Sequence, residues 1–222
     1  RGATFDEPLA ASVHGLARTA RLEWPDMNIV VVDIQSDVSA DRVRRCAAAH
    51  TGEPTLRVST QRTQVPRLVP HVSSPTTFKA DPGTWLITGG LGALGMHTAR
   101  WLIEHGATHL LLVSRSAHDA RGKKALESLA TDRCKVTIAT CDVSDQQAVT
   151  DILDVQPPVR GIVHAAGLLE DQSLAAMDPG AFDRVGKSKV CGAIHLMNAA
   201  KHHELSLQAM VLYSSLASVT GS

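Results

Sequence analysis

Between Thr84 and Ser116 the chain reads TWLITGGLGALGMHTARWLIEHGATHLLLVSRS. An uninterrupted apolar run, Thr84 to Thr88, is followed by a glycine turn, Gly89 to Gly95, and then by apolar residues at helical spacing from Met96 to His105. Gly106 stands where a helix C-cap glycine belongs, and His109 to Val113 is a second apolar run. Strand, helix and strand with so short a crossover predict a right-handed βαβ unit. Gly90, Gly92 and Gly95 spell G-x-G-x-x-G, and Thr88, Gly89, Gly92 and Gly95 spell T-G-x-x-G-x-x-G. A pyrophosphate needs bare backbone N–H groups at a positive helix end, where a Cβ would collide. Thr88, Gly89, Gly90, Leu91, Gly92, Ala93, Leu94 and Gly95 are therefore candidate dinucleotide-binding residues.

The end of the second strand selects the dinucleotide. An acid about 20 residues past the glycines holds a ribose 2′-hydroxyl, whereas an arginine accommodates a 2′-phosphate. The chain has Ser114-Arg115-Ser116 there, an arginine between two hydroxyl donors, which predicts NADPH as the cofactor.

Lys+Arg and Asp+Glu are both 22, so the formal charge is zero and bulk electrostatics argue against a nucleic-acid or membrane-surface role. Hydrophobic residues at 44% are enough to bury a core. Cys46, Cys134, Cys141 and Cys191 form no CxxC, which speaks against a disulfide framework or zinc site and fits a reducing, cytoplasmic compartment. Eleven histidines raise a metal hypothesis, but His202-His203 is adjacent and His195 lacks a paired ligand, so no metal is expected. No apolar run is long enough to span a bilayer. The chain opens at Arg1-Gly2-Ala3 without an initiator methionine and is expected to be one piece of a longer polypeptide.

Residues 1–80 are read as a first unit. Asp6-Glu7-Pro8 starts a helix whose Leu9, Val13, Leu16, Ala17 and Ala20 repeat at helical spacing up to Trp24-Pro25. Asn28 to Ile34 is a buried strand by its β-branched content, and Ser39 caps a helix through His50, ended by Thr51-Gly52. Thr55 to Ser59 and Gln64 to Val69 alternate as strands, with Pro66 marking an edge. The many arginines of this unit are read as a balanced surface rather than a basic face. Residues 71–83 form the linker, and residues 81–222 the second unit.

Past Ser116 the pattern continues with a helix from His118 to Ala130, a strand from Val136 to Thr140, a helix capped by Ser144, and a strand Gly161 to His164. A long helix from Pro179 to about His202 and a strand from Ala209 to Tyr213 follow. Strands alternating with helices predict an α/β, doubly wound parallel sheet of Rossmann type, with ligands at the carboxyl ends of its strands. At those ends stand Ser114, Arg115, Ser116, Asp142, Val143, Ala165, Ala166, Gly167 and Ser214-Ser215. Asp142 is read either as a partner of an adenine amine or as a helix cap beside Ser144. By position alone, Lys187 and Lys189 are solvated lysines early in the long helix.

The segments TWLITGGLGALG, HLLLVSRS, CDVSD, GIVHAAGLLEDQSL, KVCGAIHL and LYSSLASVTGS, in that order, resemble the ketoreductase domain of modular polyketide synthases and animal-type fatty acid synthases. That family is a branch of the short-chain dehydrogenase/reductases. GLARTARLEWP, VVDI and VPRLVP resemble its structural half, a truncated Rossmann-like subdomain that binds no cofactor. The resemblance implies NADPH-dependent reduction of a β-ketoacyl chain carried on the phosphopantetheine arm of an acyl carrier protein, among neighbouring synthase domains. It assigns the catalytic serine to Ser215 and the catalytic lysine, which also contacts the cofactor, to Lys189 through K-V-x-G-A-x-H-L rather than to Lys187.

The family's tyrosine and asparagine would fall beyond Ser222, and the one tyrosine, Tyr213, precedes the serine. The expectation is therefore a catalytic unit without its proton donor and last sheet elements, with a reductase-null structural module as the alternative function. Leu169-Glu170-Asp171 resembles the L-D-D signature of B-type members, and Thr220 stands where the opposite type carries tryptophan.

Overall fold

The computed structural model describes residues 8–49, 52–72, 77–116, 119–129, 131–155 and 157–221. The chain forms two compact units, one of Arg1–Ser74, Ser173–Ala175 and Ser214–Ser222, the other of Pro75–Gln172 and Ala176–Tyr213. The predicted helix start at Asp6-Glu7, the helix end at His50-Thr51, linker residues 73–76, and the helix ends at His118 and Ala130 lie outside the described residues.

In the first unit α1 (Pro8–Glu23) precedes β1 (Val31–Ile34), α2 (Ala40–Ala49), β2 (Thr55–Val58) and β3 (Thr63–Gln64). β1 pairs parallel with β2, and β2 antiparallel with β3. Leu56 and Val58 point the same way from β2 and are fully buried, with Cys46 of α2 packed beside them. Ser39 caps α2 as predicted, its Oγ accepting the Arg42 N–H at 3.3 Å.

Three expectations fail in this unit. α1 buries His14, Ala17 and Ala20, while Val13 and Leu16 are each 57% exposed, because its apolar residues spread over more of the helix than so small a core can cover. β1 is half-buried and shorter than Asn28 to Ile34. The predicted strand Gln64 to Val69 shrinks to β3, since Pro66 has no N–H to extend the ladder.

The second unit contains β4 (Thr84–Thr88), α3 (Ala93–Glu104), β5 (His109–Ser114), α4 (Ala120–Leu129), β6 (Lys135–Thr140), α5 (Gln146–Leu153) and β7 (Val159–His164). After these come α6 (Pro179–Gly186), a π-helical turn (Lys187–Cys191), α7 (Gly192–His202) and β8 (Ala209–Leu212). All five strands are parallel in the order β6-β5-β4-β7-β8, a Rossmann order. Alternation along each strand builds two cores. Trp85, Ile87, Leu110, Leu112 and Val163 pack under Ala99 and Leu102 of α3 and Ala125 and Leu129 of α4. Leu86, Leu111, Val113 and Ile162 pack on the other face against Val149 and Leu153 of α5 and Leu196 and Ala199 of α7. The long predicted helix is thus broken by a π turn, and β4, the central strand, is buried at every residue.

The last helix, α8 (Ala217–Thr220), belongs to the first unit. There the Arg18 guanidinium donates to the Ser218 carbonyl, and both Glu23 carboxylate oxygens accept the Leu174 N–H, at 2.9 and 2.8 Å. No helix among the described residues is long and apolar enough to cross a membrane.

Candidate functional site

In this strand order the chain direction switches between β4 and β7, and ligands of open α/β sheets gather in the crevice beyond the carboxyl ends at that point. A cleft of about 300 Å³ lies there. Its walls come from Gly89 after β4, Val113, Ser114 and Arg115 after β5, Cys141 to Ser144 after β6, Ala166 to Leu168 after β7, and Arg184, Lys187 and Ser188.

The glycine turn is built by close backbone contacts. Gly89 has φ +65°, and a Cβ on it would stand 2.7 Å from the Ala165 carbonyl oxygen. A Cβ on Gly95 would meet the Gly89 carbonyl and come 2.7 Å from Gly90 Cα. α3 therefore starts at Ala93, earlier than the helical pattern from Met96 predicts, with Gly92 as N-cap and no side chain capping it. Its first N–H groups stay bare at the positive end of a helix, and they fit the pyrophosphate of a dinucleotide.

Seven predicted cofactor residues, Gly89, Ser114, Arg115, Asp142, Val143, Ala166 and Gly167, line the cleft. Gly90, Leu91, Gly92, Ala93, Leu94 and Gly95 form the turn and the opening of α3, outside the lining. Ala165 donates its N–H to the Thr88 carbonyl at 3.1 Å. Thr88 is buried beneath the turn, its hydroxyl 2.7 Å from His164 Nδ1 and accepting the Ala166 N–H at 3.3 Å. Ser116 is exposed and bonds to Arg121 Nη2 at 2.9 Å. Lys189 does not line the cleft but lies along Gly167, where a Cβ would stand 3.1 Å from its Cε. Ser215 sits in the first unit, its Oγ accepting the Ala217 N–H at 3.2 Å. The Tyr213 hydroxyl is engaged with Thr98 Oγ1 on α3 at 2.8 Å.

Asp142 is not a helix cap. Its Oδ1 accepts the Ser144 N–H at 2.9 Å and hydroxyl at 2.8 Å, and the Ser144 N–H, first among the causes, holds its carboxyl below the usual range. The cap of α5 is Asp145, which accepts from Gln147 and Ala148, so Ser144 was the wrong residue. Burial pushes the Cys141 thiol up to about 11, and nearby carboxylates add to the effect, which favours the neutral thiol.

Sequence reasoning missed Arg184 and Ser188 and set Lys187 aside as solvated, yet the three form part of the cleft wall. Their i, i+3, i+4 spacing puts them on one helix face, and that was the available signal. Arg184 also grips Glu170, with Nε to Oε1 at 2.9 Å and Nη2 to Oε2 at 2.6 Å, and it lies 3.6 Å from Asp178. This pairing holds the Glu170 carboxyl below its ordinary range. Among the described residues no group of histidines, cysteines and acids could hold a metal ion.

Comparison with known proteins places this architecture. The KR domain family matches residues 83–222, and the Rossmann fold domain of polyketide synthase extender module SpnB matches residues 1–68. Polyketide synthase GfsA of Streptomyces halstedii is 38% identical over 98% of the chain, which spans 3% of that protein. Pikromycin polyketide synthase component PikAIII of Streptomyces venezuelae is 38% identical over 97% of the chain, which spans 14% of it. A solved A-type ketoreductase from a modular polyketide synthase superposes with a TM-score of 0.86 at 31% identity, covering 100% of this chain and 49% of its own. With its cleft at the switch point of a short-chain dehydrogenase/reductase sheet, the chain belongs to the ketoreductase (KR) domain family of modular polyketide synthases.

Proposed function

We propose that this domain reduces the β-ketone of an acyl thioester, held on the phosphopantetheine arm of an acyl carrier protein, to the β-hydroxyacyl thioester with NADPH. Ketoreductase domains bind a nicotinamide cofactor, and one observation carries the choice of NADPH: Arg115, with Ser114, lines the cleft at the end of β5, where an NAD site would put an acid. Ser114 and Arg115 would hold the 2′-phosphate, Gly89 to Gly95 the pyrophosphate, and Asp142 and Val143 the adenine side. Ala165, Ala166 and Gly167 are small enough for the ligand to lie on the backbone. When bound, the cofactor supplies a hydride.

The chain's own residues contribute the polar environment. In this reading the Ser215 hydroxyl donates a hydrogen bond to the ketone oxygen, the developing alkoxide takes its proton from the tyrosine expected beyond Ser222, and the Lys189 ammonium tunes that tyrosine. Residues 1–80 form the structural subdomain and residues 81–222 the catalytic one. The resemblance of Leu169-Glu170-Asp171 to the L-D-D signature, with Thr220 where the opposite type carries tryptophan, supports a B-type product.

The test is NADPH oxidation by the full-length polypeptide with a β-ketoacyl N-acetylcysteamine thioester. NADPH is expected to be oxidised and NADH hardly at all. Lys189→Ala abolishes turnover, and Lys187→Ala retains it. Equal use of the two nucleotides sinks the 2′-phosphate assignment. No oxidation at all, with NADPH still bound, favours a reductase-null module.

A further inference from the structure

The loop that leaves β7 is fastened, contact by contact, to the segment that runs from α6 into the π turn. Gly167 lies against Lys189, whose Cε would stand 3.1 Å from a Cβ at that position. The Leu168 N–H donates to Ser188 Oγ at 3.2 Å, and that hydroxyl gives its own proton to the Val185 carbonyl at 3.0 Å. Glu170 meets Arg184 side-on, Nε to Oε1 at 2.9 Å and Nη2 to Oε2 at 2.6 Å. Gln172 Oε1 accepts the Asp178 N–H at 3.1 Å. Along the loop the residues run 167, 168, 170, 172, while their partners run 189, 188, 184, 178, so the loop lies antiparallel on that segment as a strap.

No backbone ladder holds the strap, because residues 165–173 carry no regular secondary structure. Apolar burial does not hold its middle either, since Leu169 is 76% exposed. Side-chain ties remain, and among them the Arg184–Glu170 pair alone combines opposite charge with two-point geometry. Arg184 is itself steadied: its Nη2 lies 3.6 Å from Asp178 Oδ2, and Asp178 caps α6 by accepting the Gly180 and Ala181 N–H groups, each at 3.1 Å. The strap begins in the wall of the cleft, where Ala166, Gly167 and Leu168 stand with Arg184 and Ser188, whereas Glu170 is not part of that lining.

We infer that Arg184 is a positioning residue: by gripping Glu170 it fixes the strap from Gly167 to Gln172, and so holds the backbone of Ala166, Gly167 and Leu168 in place as one wall of the cleft. The inference rests on the reading of that cleft as the NADPH site. In the competing reading Arg184 touches the nucleotide directly and its pairing with Glu170 is incidental. The two predict opposite signs when Glu170 loses its charge. A guanidinium released from a carboxylate binds an anionic nucleotide more tightly, whereas a released strap binds it less.

In the full-length polypeptide Glu170→Gln should speed amide hydrogen exchange in the peptide spanning residues 167–172 by about three- to tenfold, leaving β4 peptides unchanged. The Arg184 and Glu170 side chains are 53% and 24% exposed, so the pair adds little to global stability, and the thermal midpoint should move by no more than about 2 °C. The NADPH dissociation constant should rise about three- to tenfold. The reversed pair, Glu170→Arg with Arg184→Glu, should restore most of the exchange protection, because the same two-point contact forms with its ends swapped. Unchanged exchange in Glu170→Gln overturns the inference, and so does an NADPH affinity equal to or tighter than the parent's. Exchange that stays fast in the reversed pair, or that rises throughout the sheet, overturns it as well. Should the parent itself bind no NADPH, the cofactor reading of the cleft falls, and exchange in the two variants decides alone whether Arg184 holds the strap.

Discussion

The chain builds a parallel βαβ unit twice, β1-α2-β2 in the first unit and β4-α3-β5 in the second, and the two differ at the helix start. α2 is closed by its own sequence: Ser39 caps the Arg42 N–H, and Asp41 in the first turn pairs with Arg45. α3 begins at Gly92 with no side-chain cap, behind a turn in which Gly89 takes a left-handed φ of +65°. Positive helix ends attract anions whether these are side chains or ligands. One unit has satisfied that demand internally and the other has left it open. The sheets differ in the same sense: β4 is buried at all five residues, while no residue of β1 is fully buried. A shared topology thus carries a closed helix start in one place and an open one in the other.

The largest expected break in this comparison is Gly89→Val. The left-handed backbone and the clash with Ala165 each cost roughly 1–3 kcal/mol, so NADPH binding should be lost and the thermal midpoint should fall. An affinity within twofold of the parent would contradict the role given to the turn. Next comes Arg115→Asp, which should weaken NADPH about 10- to 100-fold by removing a charge-assisted contact and leave NADH nearly unaffected. Parallel losses in the two titrations would count against it. Ser39→Ala should destabilise the first unit by about 1 kcal/mol without altering nucleotide affinity, because its cap serves only the fold. A change in affinity there would erase the contrast between the two helix starts.

The smallest effect concerns Asp142. Its folded pKa is depressed, so the stability it contributes is present above the unfolded value of about 3.9 and disappears as pH falls through the folded value. The stability difference between the parent and Asp142→Asn should accordingly be seen at pH 7 and vanish in acid. A difference independent of pH would show that the bonds from Ser144 are not what the charge stabilises.

Strand β4, the glycine turn and the end of β5 were legible because each is a run of adjacent residues whose order alone specifies the backbone. Val13 and Leu16 misled, since periodicity cannot say which of several apolar stripes on α1 meets a core. The π turn was invisible: Lys187 to Cys191 carry an ordinary helical pattern, and the widening is apparent only where Gly192 meets Val143 and His164. Asp145 displaced Ser144 as a cap by one position, a choice made by local geometry that both side chains could satisfy chemically.

By itself the order of residues determined the α/β class, the dinucleotide-type turn, the arginine at the end of β5 and the likeness to ketoreductases. All of these rest on short-range patterns, in which steric demands act within a few residues. Only the tertiary structure decided that Arg184, Lys187 and Ser188 line the same cleft as Arg115, that Lys189 lies along Gly167, and that Gly192 of the π turn packs on His164. Those neighbours are far apart in the chain and are brought together by the packing of helices on a twisted sheet.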